Sequence, residues 1–133
     1  MTEHPPLPRM IDEWISWAAW LGANPRAKGE NPFDAASSEF CSLTENEPDR
    51  AWEVIFAILD EPRAAPYLDV LAAGPLEDLL SFHGEAFIER VERAAIFNPR
   101  FATLLSGTGQ FKMSEAIWSR VQAAWNPSEA DGV

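Results

Sequence analysis

The chain has 133 residues, 47% of them hydrophobic, and a chain of this size buries about two-thirds of its unfolded surface without help from disulfides or metals. Its single cysteine, Cys41, excludes an internal disulfide, and the proline-rich start MTEHPPLPRM has no apolar run of signal-peptide type. A formal net charge of −11 argues against nucleic acid as a direct ligand, because phosphate is held by Lys and Arg. No uncharged apolar stretch approaches the ~20 residues of a membrane helix, so a cytoplasmic protein is expected.

Apolar residues recur at the 3.6-residue period, and alternation of strand type is absent. The pattern predicts an all-α single domain over 1–133, a compact bundle of six to eight short helices, with mobile ends at about 1–7 and 127–133. The first helix runs from about Pro8 to Leu21, with Ile11, Trp14, Ile15, Ala18 and Leu21 on one face and Trp17 beside it. Trp14, Trp17 and Trp20 span a wide arc, which suits a wide core face; the alternative leaves one ring, Trp20, at the surface and available for binding. A short helix follows over Asp34–Leu43. Another starts at Glu47-Pro48-Asp49, with Trp52, Ile55, Phe56 and Leu59 facing inward. Tyr67, Leu68, Leu71 and Ala72 belong to a short helix stopped at Gly74. Pro75 opens the next, with Leu76, Leu79 and Leu80 inward. Gly84 then separates it from an amphipathic helix carrying Phe87, Ile88, Val91, Ala94 and Ala95, on which Glu89 and Arg93 form an i, i+4 pair. Asn98 caps a helix with Pro99 at its first position, and Ser114 begins the last helix, which ends at Asn126-Pro127.

Pro25-Arg26, Pro62-Arg63 and Pro99-Arg100 are separated by 37 residues each time. Apolar residues stand eight positions before each proline (Trp17, Val54, Val91) and four before (Leu21, Ile58, Ala95). This spacing suits stacked helical hairpins of α-solenoid type, although Pro8-Arg9 falls out of phase.

Residues that could carry chemistry are sparse. Cys41 as a nucleophile needs a base, and only His4 and His83 are available; a lone cysteine is expected as a small buried hydrophobe and His83 as a helix-end cap. No CxxC, HxxxH or calcium-loop spacing occurs, so no metal or other cofactor is expected. Asp60-Glu61 and Glu77-Asp78 sit where helix ends attract charge, and Ser106-Gly107-Thr108-Gly109 lacks the lysine and strand of a phosphate loop. The chain is expected not to be an enzyme.

Charge is unevenly spread. Residues 30–61 carry nine acids against Arg50 alone, whereas residues 1–29 and 98–133 are each neutral. Asp34, Glu39, Glu45, Glu47, Asp49, Glu53, Asp60 and Glu61 are therefore candidates for a negative face that meets a basic protein.

Residues 71–84 (LAAGPLEDLLSFHG), 87–92 (FIERVE), 98–107 (NPRFATLLSG) and 113–121 (MSEAIWSRV) together resemble a family of small, uncharacterised bacterial proteins known only as a domain of unknown function. The resemblance spans residues 71–121 and implies a bacterial, cytoplasmic, helical protein; it brings no activity and no site residues. Small size, acidity and missing active-site chemistry predict an immunity-protein or antitoxin-type inhibitor of a basic toxin or nuclease domain. The alternatives are a helical-repeat adaptor or scaffold that binds through an apolar groove and, behind it, an enzyme of unrecognised type. The oligomeric state is not set by the sequence.

Overall fold

The structure, a computed structural model, describes residues 6–26 and 31–126. His4, Glu30 and the tail from Pro127 lie outside the described residues. Among the described residues every regular element is helical and no strand occurs, so the fold is all-α. Contacts group the chain into two compact units, Met1–Tyr67 and Leu68–Val133.

In the first unit, α1 (Leu7–Ala23) opens on Pro8, whose fixed φ suits a first turn. Its buried stripe is Met10, Trp14 and Ala18. This i, i+4, i+8 ridge runs oblique to the helix axis, so the seam leaves α1 before its end. Ile11 and Ile15 are consequently half-buried, and Leu21, expected inside, is 39% exposed. The anchor is Trp14, whose ring lies 6.1 Å from Trp17 and edge-on to Phe40 at 6.4 Å. Trp17 and Trp20 are both half-buried, in keeping with a wide core face rather than an exposed Trp20.

Helix α2 (Asp34–Asn46) extends past the expected end at Leu43 and buries Ala36, Phe40, Leu43 and Thr44. Glu47 alone joins it to α3 (Pro48–Leu59), ending one helix and preceding the other in a non-helical conformation (φ −138°, ψ 68°). The seam of α3 is Ala51, Val54, Ile55, Ile58 and Leu59. It is rotated from the expected face: Trp52 and Phe56 are half-buried on its flank, their rings 4.8 Å apart and inclined by 55°. Close packing against α1 and α2 selects the small Ala51 for the contact and leaves the large rings beside it. A 3-10 turn (Pro62–Tyr67) closes this unit.

In the second unit the predicted break at Gly74-Pro75 is absorbed into helix. Gly74 does not stop the chain, and Pro75 does not open a new helix. Instead α4 (Leu68–Leu71) passes through a π-turn (Ala72–Leu76) into α5 (Glu77–Phe97). The wider turn accommodates the Pro75 ring and its missing N–H. At Gly84 the predicted separation holds: the non-helical backbone of His83 (φ −133°, ψ 26°) divides α5 into two helices that meet at a kink just before Gly84, so His83 stands at a helix end as expected. Gly84 is buried where α5 crosses α7 (Glu115–Trp125), and a Cβ there would lie 2.9 Å from Ile117 Cγ2. Leu79, Leu80, Phe87, Ile88, Val91 and Ala95 face the core as expected.

Helix α6 (Pro99–Leu105) is capped as predicted: Asn98 Oδ1 accepts from the Arg100 and Phe101 amides at 3.1 and 3.2 Å. Ser114 Oγ accepts from the Ile117 amide at 3.1 Å at the start of α7. Between them, Glu77 accepts a hydrogen bond from the Gly109 amide, which ties the 106–110 connection to the first turn of α5.

The 37-residue phase survives in the elements. Helices α1, α3 and α5 end at Ala23, Leu59 and Phe97, two or three residues before Pro25, Pro62 and Pro99. The side chains follow it only from the second period onward: Val54, Ile58, Val91 and Ala95 are buried, whereas Trp17 is half-buried and Leu21 exposed.

Candidate functional site

The acidic candidates fall on α2, the Glu47 corner and α3, all within the first unit. On α2 the core side is Phe40 and Leu43, so Asp34, Ser38, Cys41 and Glu45 share the opposite, exposed face. Cys41, expected as a buried hydrophobe, is thus exposed; the helix register that buries Phe40 and Thr44 turns it outward. On α3, Asp49 and Glu53 are spaced i, i+4 on the exposed face opposite Ile58, and Asp60, the residue just after the helix end, is exposed as well. Glu39, Glu47 and Glu61 are half-buried on the flanks. Glu45, Glu47 and Asp49 bring three carboxylates to the corner between the helices. Two consecutive helices therefore turn acidic faces outward, opposite the faces they bury.

Several of these carboxylates also hold the unit together. Asp34 Oδ1 accepts from the Trp17 indole at 3.3 Å, and the buried Asn31 donates to the Trp17 carbonyl at 3.0 Å, so both fasten the start of α2 to α1. Glu53 pairs with Arg50 at 3.0 Å, and the Arg50 side chain is only 19% exposed. Arg50 is thus spent on a neighbour along its own helix and leaves the outer face negative. Arg63 joins Glu61 to Asp12 and so ties the 3-10 turn to α1. The hydrogen bonds that Arg63 donates to Glu61 and Asp12 raise its pKa above the ordinary value, and the one that Arg9 donates to Glu13 does the same there. Both guanidinium groups stay charged at any pH at which the protein folds. The indole contact of Asp34 and the Arg63 bridge were missed from the sequence, because their partners lie 17 and 51 residues away.

Two concave regions complete the survey. A cleft of about 380 Å³ opens at the α5 kink, lined by Ser81, His83, Glu85, Lys112, Met113 and Ser114. The Lys112 ammonium lies over the Phe82 and Phe111 rings at 5.7 and 5.3 Å. A smaller hollow of about 220 Å³ lies between Arg9, Glu13 and the Pro32-Phe33 start of α2. The cleft at the kink is lined by serines together with His83 and Glu85, whereas no serine, cysteine or histidine lines the smaller hollow. Among the described residues no group of three His, Cys, Asp or Glu side chains could hold a metal ion, and no helix is long and apolar enough to cross a membrane.

The geometry defines a helical protein whose most distinctive surface is acidic. Residues 23–128 match the profile of a family described as a family of unknown function, DUF6869, and the chain belongs to that family. The match takes in both acidic helices as well as the 71–121 blocks. No curated protein and no solved structure matches the chain.

Proposed function

We propose that the chain is a protein-binding module whose acidic α2–α3 surface neutralises a basic partner, in the manner of an immunity protein or antitoxin that covers a toxin or nuclease domain. One observation supports this most: Asp34, Glu45, Asp49 and Glu53 are all exposed on the outer faces of two helices joined by a single residue, with Asp60 exposed just after the second, while the one cation of this stretch, Arg50, is paired and largely covered. Such a surface accelerates association with a positive patch by long-range attraction. The role proposed is binding inside the cell rather than catalysis.

The test replaces Glu47, Asp49 and Glu53 together by lysine and uses both proteins as bait in lysate of the native cell. The wild-type chain should capture a basic protein that the triple variant does not, with both melting at similar temperatures. Equal capture by the two would refute the acidic surface as the binding face. The 37-residue phasing of α1, α3 and α5 favours a second reading, a helical-repeat adaptor with an apolar groove. Capture by that route is insensitive both to the triple replacement and to salt.

A further inference from the structure

The most exposed large hydrophobic side chains among the described residues are Phe97 (79%) and Ile96 (76%), adjacent at the end of α5. They stand at one end of a stripe that is exposed over its whole length: Glu85, Ala86, Glu89, Arg90, Arg93, Ile96 and Phe97. Ala86, Glu89, Arg93 and Ile96 follow a 3-4-3 spacing, which is the a/d seam of a helix that packs along another helix. The stripe is polarised. Its first half offers an acid and a small residue, and its second half a base and large apolar groups.

We propose that α5 is the contact between two copies of this chain, packed antiparallel across a two-fold axis. Antiparallel packing sets each a position of one helix against a d position of the other. Every layer of the seam is then complementary. Ala86 lies opposite the partner's Ile96, where the small side chain leaves room for the large one. Glu89 lies opposite the partner's Arg93. The two-fold axis repeats both contacts, as an isologous interface requires. Phe97 and Arg90 flank the seam, and Arg90 stays over the ring of its own Phe87 at 4.5 Å. A parallel pair is excluded by the same residues, because it would set Glu89 against Glu89 and Arg93 against Arg93.

The ion pair expected along α5 is also absent. Glu89 and Arg93 are four residues apart, yet no ion pair joins them among the described residues. Arg120 of α7 pairs instead with Glu92 at 2.9 Å, off the stripe. The Glu89 carboxylate and the Arg93 guanidinium thus both remain on the exposed face at which the second copy docks. Four layers make a small interface, at the weak end of specific associations.

Sedimentation velocity of the full chain over a wide concentration series tests this. The wild-type protein should shift from monomer toward dimer as concentration rises. Glu89→Arg and Arg93→Glu each place like charges across the seam and should weaken the dimer more than about tenfold. A one-to-one mixture of the two variants should recover it, because every seam contact in the mixed dimer joins opposite charges. That recovery also shows that both variants are folded. A wild-type chain that stays monomeric throughout, single variants that dimerise as well as wild type, or a mixture that stays monomeric would each overturn the proposal. Recovery of dimer by Ile96→Ser at wild-type strength would overturn it independently.

Discussion

Replacing Gly84 by alanine probes the crossing of α5 and α7. An added Cβ would stand 2.9 Å from Ile117 Cγ2, 3.5 Å from Cγ1 and 3.7 Å from Cβ. Carbon atoms at rest lie about 3.5–4.0 Å apart, so the first contact overlaps by more than half an ångström and the other two do not. Overpacking of this kind costs about 1–3 kcal/mol. Against it stands the helix preference for alanine over glycine, about 1 kcal/mol. The net expectation is a loss of about 1 kcal/mol, small enough that the single variant alone is a poor test. The double-mutant cycle is sharper. Ile117→Ala leaves a cavity and costs about 2–5 kcal/mol by itself, but it removes the atoms that Gly84→Ala strikes. In that background Gly84→Ala should stabilise by about 1 kcal/mol, a reversal of sign with a coupling of about 2 kcal/mol. Urea unfolding of the four proteins measures it. A Gly84→Ala effect of the same sign and size in both backgrounds would refute the close approach of α5 to Ile117.

The rotated seam of α3 gives a matched pair. Ile58→Ala, at a site with no exposure, should cost about 2–5 kcal/mol, whereas Trp52→Ala, on the flank, should cost less than that despite the larger side chain removed; thermal unfolding compares them. Asn98→Ala removes the acceptor for two amides at the start of α6 and should cost about 1 kcal/mol, recovered in large part by Asn98→Asp, as chemical denaturation would show. Cys41 should react with a thiol reagent in the native protein at the rate seen in denaturant; a rate slowed by orders of magnitude would place the thiol inside rather than on the outer face of α2.

Much of the fold was legible because it rests on local signals. Asn98, Pro99 and Ser114 act within three or four residues of themselves, and a cap reads the same in sequence and in structure. The all-α class followed from the period of the apolar residues. The breakers misled where tertiary contacts overrode local preference. Gly74 and Pro75 sit in a π-turn that no propensity announces; at Gly84 the expected break holds at His83, but the need for a missing Cβ against Ile117, 33 positions away, has no local signal. Helix faces were read correctly to within one position. A rotation that small exchanged Trp52 for Ala51 and brought Leu21 to the surface, because periodicity weighs hydrophobicity and not the room between helices. For the acidic surface, the sequence located the charge, and the helix registers of α2 and α3 decide which carboxylates point outward. The use of Asp34 and Glu61 as internal ties depends on Trp17 and Arg63 and has no sequence signature.

The role proposed for the outer faces of α2 and α3 is to attract a basic partner through their charge. The most direct measurement is the association rate of the captured partner with the wild-type chain and with the Glu47, Asp49 and Glu53 triple lysine variant, each followed as salt is raised. The account requires a fast wild-type rate that falls steeply with salt, and a slow variant rate with little salt dependence. Equal rates for the two proteins, or a wild-type rate indifferent to salt, would contradict it.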